Sequence, residues 1–183
     1  MKSRHHDPRR LDVEQFAADK GTLDGSWPLL GMPRLVGACH ADENFAAQTQ
    51  VSWQLSGELR REAGGEPHAW LMLRLGAEVQ LTCQRCLGAV ATPLRVERWF
   101  HFVESEALAA KLDLDSEDDV LVSVRALDLH QLAEDELLLA LPLVPRHDVC
   151  PQPLPAQLAN SSTESDEAPS PFAVLAAFKR GVH

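Results

Sequence analysis

The chain has 183 residues, 45% of them hydrophobic, enough for one domain with a real core plus tails. Its formal net charge is −10, only 5% of its residues are aromatic, and it has no Tyr. Broad nucleic-acid surfaces need clustered Lys and Arg and rings for base stacking, so the composition argues against one. The charge is unevenly placed: residues 1–100 carry 12 basic and 12 acidic side chains, and residues 101–148 carry 3 and 12. No apolar run approaches the ~20 residues of a membrane span. The basic start, MKSRHHDPRR, is followed by no apolar signal core. The expectation is a soluble, cytoplasmic protein whose four cysteines stay out of structural disulfides.

In chain order, Arg10 to Lys20 reads as a short helix, with Leu11, Val13, Phe16 and Ala17 apolar and Gly21 as its stop. The stretch GTLDGSWPLLGMPRL, rich in Gly and Pro, reads as irregular. Arg34 to Ala41 reads as a strand. Val51, Trp53 and Leu55 then alternate with Gln50, Ser52 and Gln54, the period of a half-buried strand. Gly64-Gly65 offers a hairpin turn. The alternation resumes through Leu71, Leu73, Leu75, Val79 and Leu81, with Gly76 as a candidate bulge. After a turn at Gly88 it continues through Leu94 and Val96 to Trp99 or Phe100. Short connections between these strands imply antiparallel pairing. An acidic insertion spans Glu104 to Asp119, and Asp119 to Val124 is a short strand. The clearest helix is Asp128 to Leu141. Asp128 caps it, Leu129, Leu132, Ala133, Leu137 and Ala140 make an apolar stripe, and Pro142 stops it. Glu134, Asp135 and Glu136 fall largely on the opposite side. Residues 151–170, rich in Pro, Ser and acids, read as a disordered linker. Residues 171–183 read as a short docking helix, with Phe172, Leu175 and Phe178 on one side.

The motif that carries chemistry is Cys83-Gln84-Arg85-Cys86. Two thiolates at this spacing can meet one Zn²⁺ at the tip of a hairpin. His147 and Cys150, spaced H-x-x-C, are candidates for the second half, and Cys39 and His40 are the other donors within reason. Plain reduced thiols are the bland alternative. A thioredoxin-like redox role fits poorly, because that fold puts CxxC at a helix start after a parallel strand. His40, His68, His101 and His130 stand in separate elements. The sequence contains no G-x-S-x-G, H-E-x-x-H, P-loop or G-x-G-x-x-G, so catalysis is not expected.

Three blocks, LTCQRCLG, EDELLLALPLVPRHDVC and PFAVLAAFKR, occur in that order between about Leu81 and Arg180 and together resemble the YceD family of large ribosomal RNA subunit accumulation proteins. The resemblance implies a non-enzymatic factor in accumulation of 23S ribosomal RNA. Some relatives carry further cysteines after the ALP block, where His147 and Cys150 stand here, which implies a zinc knuckle of Cys83, Cys86, His147 and Cys150.

The expectation is therefore an α+β protein: one domain over 1–150, an antiparallel sheet of about four to six strands packed by one main helix, the linker and the docking helix. The expected action is contact with a basic ribosomal protein or assembly factor, within a pre-ribosomal particle, through Glu134, Asp135, Glu136 and the tail residues Phe172, Leu175 and Phe178. The alternative is a zinc-stapled module that contacts rRNA directly through Arg85 and Arg95. Neither a membrane nor a small-molecule substrate is expected.

Overall fold

The computed structural model describes residues 6–61, 65–112, 114 and 119–151. The chain divides into two units, one ending at His147 and one beginning at Asp148. The architecture below is that of the first. The linker and docking helix expected beyond 151, with Phe172, Leu175 and Phe178, lie outside the described residues, as does Gly64.

Five strands form one sheet in the order β1-β2-β3-β4-β5. Strands β1 (Thr22–Pro28), β2 (Gln50–Arg61), β3 (Pro67–Thr82) and β4 (Ala89–Val103) pair antiparallel in succession. Strand β5 (Asp119–Val122) lies parallel to β4. The connection between them carries a helix, α4 (Glu106–Leu112), which returns the chain to the starting end. The α+β class expected from the sequence is the one found, with a mixed, mostly antiparallel sheet.

The period-two pattern becomes one buried face. Val51, Trp53 and Leu55 of β2, Leu71, Leu73, Leu75, Val79 and Leu81 of β3, and Leu94 and Phe100 of β4 are all buried. The register sets Leu55 opposite Leu73 and Leu71 opposite Phe100. Helices α1 (Val13–Ala18) and α5 (Leu129–Leu139) contribute Val13, Phe16 and Ala17, and Leu129, Ala133 and Leu137, to the same core. The ring of Phe16 lies so close to β2 that a Cβ added at Gly57 would sit 2.6 Å from it, so only glycine fits there. The carboxylate of Asp128 accepts from the N–H groups of His130 and Gln131, as the sequence led us to expect.

Several expectations are corrected. The segment taken as irregular contains β1, an edge strand: Trp27 stacks on Trp53 with ring centroids 4.6 Å apart, and β2 supplies the hydrogen-bond ladder. The stretch 34–41 is no strand but helix α2 (Pro33–Ala38), and a further helix, α3 (Glu43–Gln48), capped by Asp42, follows it. Pro33 starts α2, where its fixed φ suits a first turn. The α2 N–H groups of Arg34 and Leu35 donate to Glu134, about a hundred residues away and invisible to local pattern. Gly76 makes no bulge, because the β3–β4 register runs through it unbroken. Helix α5 stops at Leu139, two residues short of the expected end.

Candidate metal centre

The tip of the β3–β4 hairpin builds a tight knuckle. The N–H of Cys83 donates to the carbonyl of Gly88, and that of Leu87 to the carbonyl of Cys83, both at 2.9 Å. This closure places Leu87 in the left-handed region, at φ 60°. A non-glycine residue there costs about 1 kcal/mol or more. The segment that follows α5 lies against the knuckle. The N–H of Gln84 donates to the carbonyl of Pro145 at 2.9 Å.

His147 completes the arrangement. Its Nε2 lies 3.0 Å from the carbonyl oxygen of Ala89. A carbonyl only accepts, so Nε2 carries a proton and donates to it, and Nδ1 lies 3.4 Å from Sγ of Cys86. A hydrogen bond from the far ring nitrogen to a backbone carbonyl is the support that metal-ligating histidines usually have. Cys83 is buried, Cys86 and Cys150 are half-buried, and none of the cysteines is in a disulfide. The ligand atoms of Cys83, Cys86, His147 and Cys150 all lie within 4.8 Å of one another. Tetrahedral zinc with Zn–S of about 2.3 Å and Zn–N of about 2.0 Å would put sulfur and nitrogen about 3.5 Å apart. The donors therefore fit zinc in type and number, and nearly in spacing.

The electrostatics point the same way. Burial alone raises the Cys83 thiol, but N–H groups of Cys86, His147 and Arg85, together with the His147 side chain, outweigh it and bring it down to about 5. A thiolate held in this way is a ready metal ligand. Cys39 and His40 are not in the group. Burial pushes the Cys39 thiol up, and the backbone N–H of His40 is engaged by the carbonyl of Gln80 at 2.7 Å.

The acidic helix is used differently from its sequence reading. Glu134 and Glu136 are buried, not on a solvated face. Glu134 accepts from the N–H groups of Arg34 and Leu35 at 2.7 and 3.2 Å and from the Arg34 guanidinium at 3.0 and 3.1 Å. Burial opposes its ionisation, but these donors win and hold its carboxyl below the usual range. Glu136 lies 3.2 Å from the Arg98 Nε, while Nη1 of the same guanidinium donates to Asp119 at 2.9 Å. Here burial wins and pushes the carboxyl up. Asp135 alone of the three is half-exposed, and it too pairs with Arg34.

Arg85 and Arg95 are both exposed but do not share one site. Arg85 is on the knuckle, whereas Arg95 is six residues along β4 from Ala89, roughly 20 Å at strand rise. One cluster escaped the sequence reading. On the sheet face away from the core, His68 Nδ1 and His101 Nε2 are 2.7 Å apart, Trp70 stacks on His101 at 4.3 Å, and the Arg60 guanidinium covers Trp99 at 3.8 Å. The register that sets Arg60 opposite His68, and Trp70 opposite His101, creates it. The one signal in the sequence was that these residues share strand parity.

Among the described residues no helix is long and apolar enough to cross a membrane. No solved structure matches the chain. A family model described as "Large ribosomal RNA subunit accumulation protein YceD" matches residues 71–179, which includes the whole knuckle and the segment that closes it. That match covers more than half of the chain, which therefore belongs to the YceD family, with the role in accumulation of large-subunit ribosomal RNA that the family description carries.

Proposed function

We propose that the protein is a cytoplasmic, non-enzymatic ribosome-biogenesis factor that promotes accumulation of 23S rRNA by contacting a basic ribosomal protein or assembly factor. The family match carries the rRNA role. The donor set supports the absence of catalysis: three sulfurs and one imidazole would fill all four positions of a zinc ion, the closed pattern of structural sites. Zinc held there would clamp the segment after α5 to the sheet. For a basic partner, the exposed carboxylates of Asp12, Glu14 and Glu104 line, together with Arg125, a depression of about 500 Å³. The tail residues Phe172, Leu175 and Phe178 would make a second, apolar contact with the partner.

The test is a deletion strain complemented with wild type or with Cys83→Ser/Cys86→Ser. Expected are a lowered 23S-to-16S ratio on deletion, rescue by wild type, and weaker rescue by the variant. An unchanged ratio on deletion would sink the reading. Metal content of the two purified proteins, measured in parallel, tests the clamp by itself.

A second reading, a zinc-stapled module that binds rRNA directly, is favoured by one observation. Arg85 is exposed at the knuckle and makes no ion pair among the described residues. Under that reading, Arg85→Glu and Arg95→Glu abolish retention of rRNA fragments and flatten its salt dependence.

A further inference from the structure

We propose that the rim of the knuckle, formed by Arg85, Leu87, Leu143, Val144 and Arg146, is a docking surface for an acidic, amphipathic segment of a partner protein. The proposal takes its biological setting from the assembly-factor reading, but its geometry stands on this corner alone.

The apolar side chains come first. Leu87 is 71% exposed, Val144 60%, and Leu143 fully so. The two segments that carry them are tied side by side, by Gln84 N–H to the Pro145 carbonyl at 2.9 Å and by His147 Nε2 to the Ala89 carbonyl at 3.0 Å. Exposed aliphatic side chains carried on two segments that hydrogen bonds hold together suit a binding surface.

Leu87 adds an independent sign. At φ 60° a glycine would sit without strain, yet the position carries a branched hydrophobe that points into solvent. Strain kept for an exposed apolar side chain is hard to explain by stability and natural to explain by contact.

Charge selects the partner. Segments 84–89 and 143–147 contain no Asp or Glu. Arg85 and Arg146 are exposed and make no ion pair among the described residues. In a chain of net charge −10 this is a local reversal of sign. Two unneutralised guanidinium groups beside aliphatic side chains fit a segment with carboxylates along one edge and apolar side chains along the other. An RNA strand fits less well: the rim has no ring for a base to stack on, and two arginines neutralise few phosphates.

The experiment uses isotope-labelled full-length protein and three probes: a synthetic helical peptide of Leu and Glu at amphipathic spacing, the same peptide with Lys for Glu, and an oligouridylate. The Glu peptide is expected to move the amide resonances of segments 84–89 and 143–147, and the Lys peptide to leave them in place. Arg85→Glu/Arg146→Glu is expected to weaken Glu-peptide binding about tenfold or more. Leu87→Gly is expected to weaken binding while holding or raising the thermal midpoint, which separates lost docking from lost folding. All these variants keep the four candidate ligands, so metal content read alongside separates failure of this proposal from failure of the clamp. A Glu peptide that moves neither segment, or that binds the variants as well as wild type, overturns the proposal. Tighter binding of the oligouridylate at these residues also overturns it and assigns the surface to RNA.

Discussion

The core beneath the sheet and the corner at the knuckle are built on opposite plans. In the core, order comes from burial: Leu71, Leu73 and Phe16 are wholly enclosed, and each touches elements far apart in sequence. At the corner only Cys83 is buried, while Leu87, Leu143 and Val144 face solvent. Its order comes from a few directed contacts among backbone, sulfur and imidazole. A region that cannot pack must be pinned, and the donor set there suits a metal. The difference teaches where stability and function are divided: the core can be altered only at the cost of the fold, whereas the corner can present apolar side chains that a core would have swallowed.

The largest effect is expected in the core. Leu71→Ala removes a fully buried side chain at the centre of the sheet and should destabilise the protein by about 3–5 kcal/mol, measured by urea unfolding. A loss below ~1 kcal/mol would mean that the face is not packed as described. Next come the two buried glutamates, which sharpen the comparison because they are polar groups inside the core. Glu134→Gln breaks a carboxylate that four donors satisfy and should cost about 2–3 kcal/mol near neutral pH. Its carboxyl is held low, so its contribution is present above the ordinary carboxylate pKa and fades as pH falls through its own lower value.

Glu136→Gln should stay within about 1 kcal/mol of wild type near neutral pH, because burial already disfavours the charge that it removes. Its carboxyl is held high. Its contribution is therefore present below the ordinary carboxylate pKa and lost as pH rises through its own raised value. Unfolding between about pH 4.5 and about pH 7.5 should show Glu136→Gln removing a decline with rising pH, and unfolding between about pH 4.5 and about pH 3 should show Glu134→Gln removing a decline with falling pH. The same trend in both variants would refute the assignment.

The smallest effect on the body should come from Cys83→Ser. Metal content is expected to vanish and amide protection at residues 84–89 to collapse, while Leu71 and Leu73 keep theirs in hydrogen exchange. Loss of protection in β3 as well would show that the corner and the core are one cooperative unit.

Local pattern revealed the central strands because alternation survives in any strand with one face covered. It also revealed α5, through Asp128 and the Leu129, Ala133, Leu137 stripe. It failed at β1 and α2. Thr22–Pro28 is a poor strand by composition and pairs only because β2 offers an edge. Pro33–Ala38 is a short helix whose first turn is satisfied by Glu134. The acid triplet of α5 was misread for the same reason: the cations that enclose Glu134 and Glu136, Arg34 and Arg98, come from elements distant in the chain.

By itself the sequence determined the chemistry available at the knuckle. Cys83 and Cys86 belong to one turn, and their spacing limits what they can do. Only the tertiary structure decided which residues join them. Cys86 and His147 are 61 positions apart, and Cys39 and His40, equally suitable by type, are left out. Ligand identity is set by where the sheet and α5 send the chain, and long-range closure leaves no trace in local periodicity.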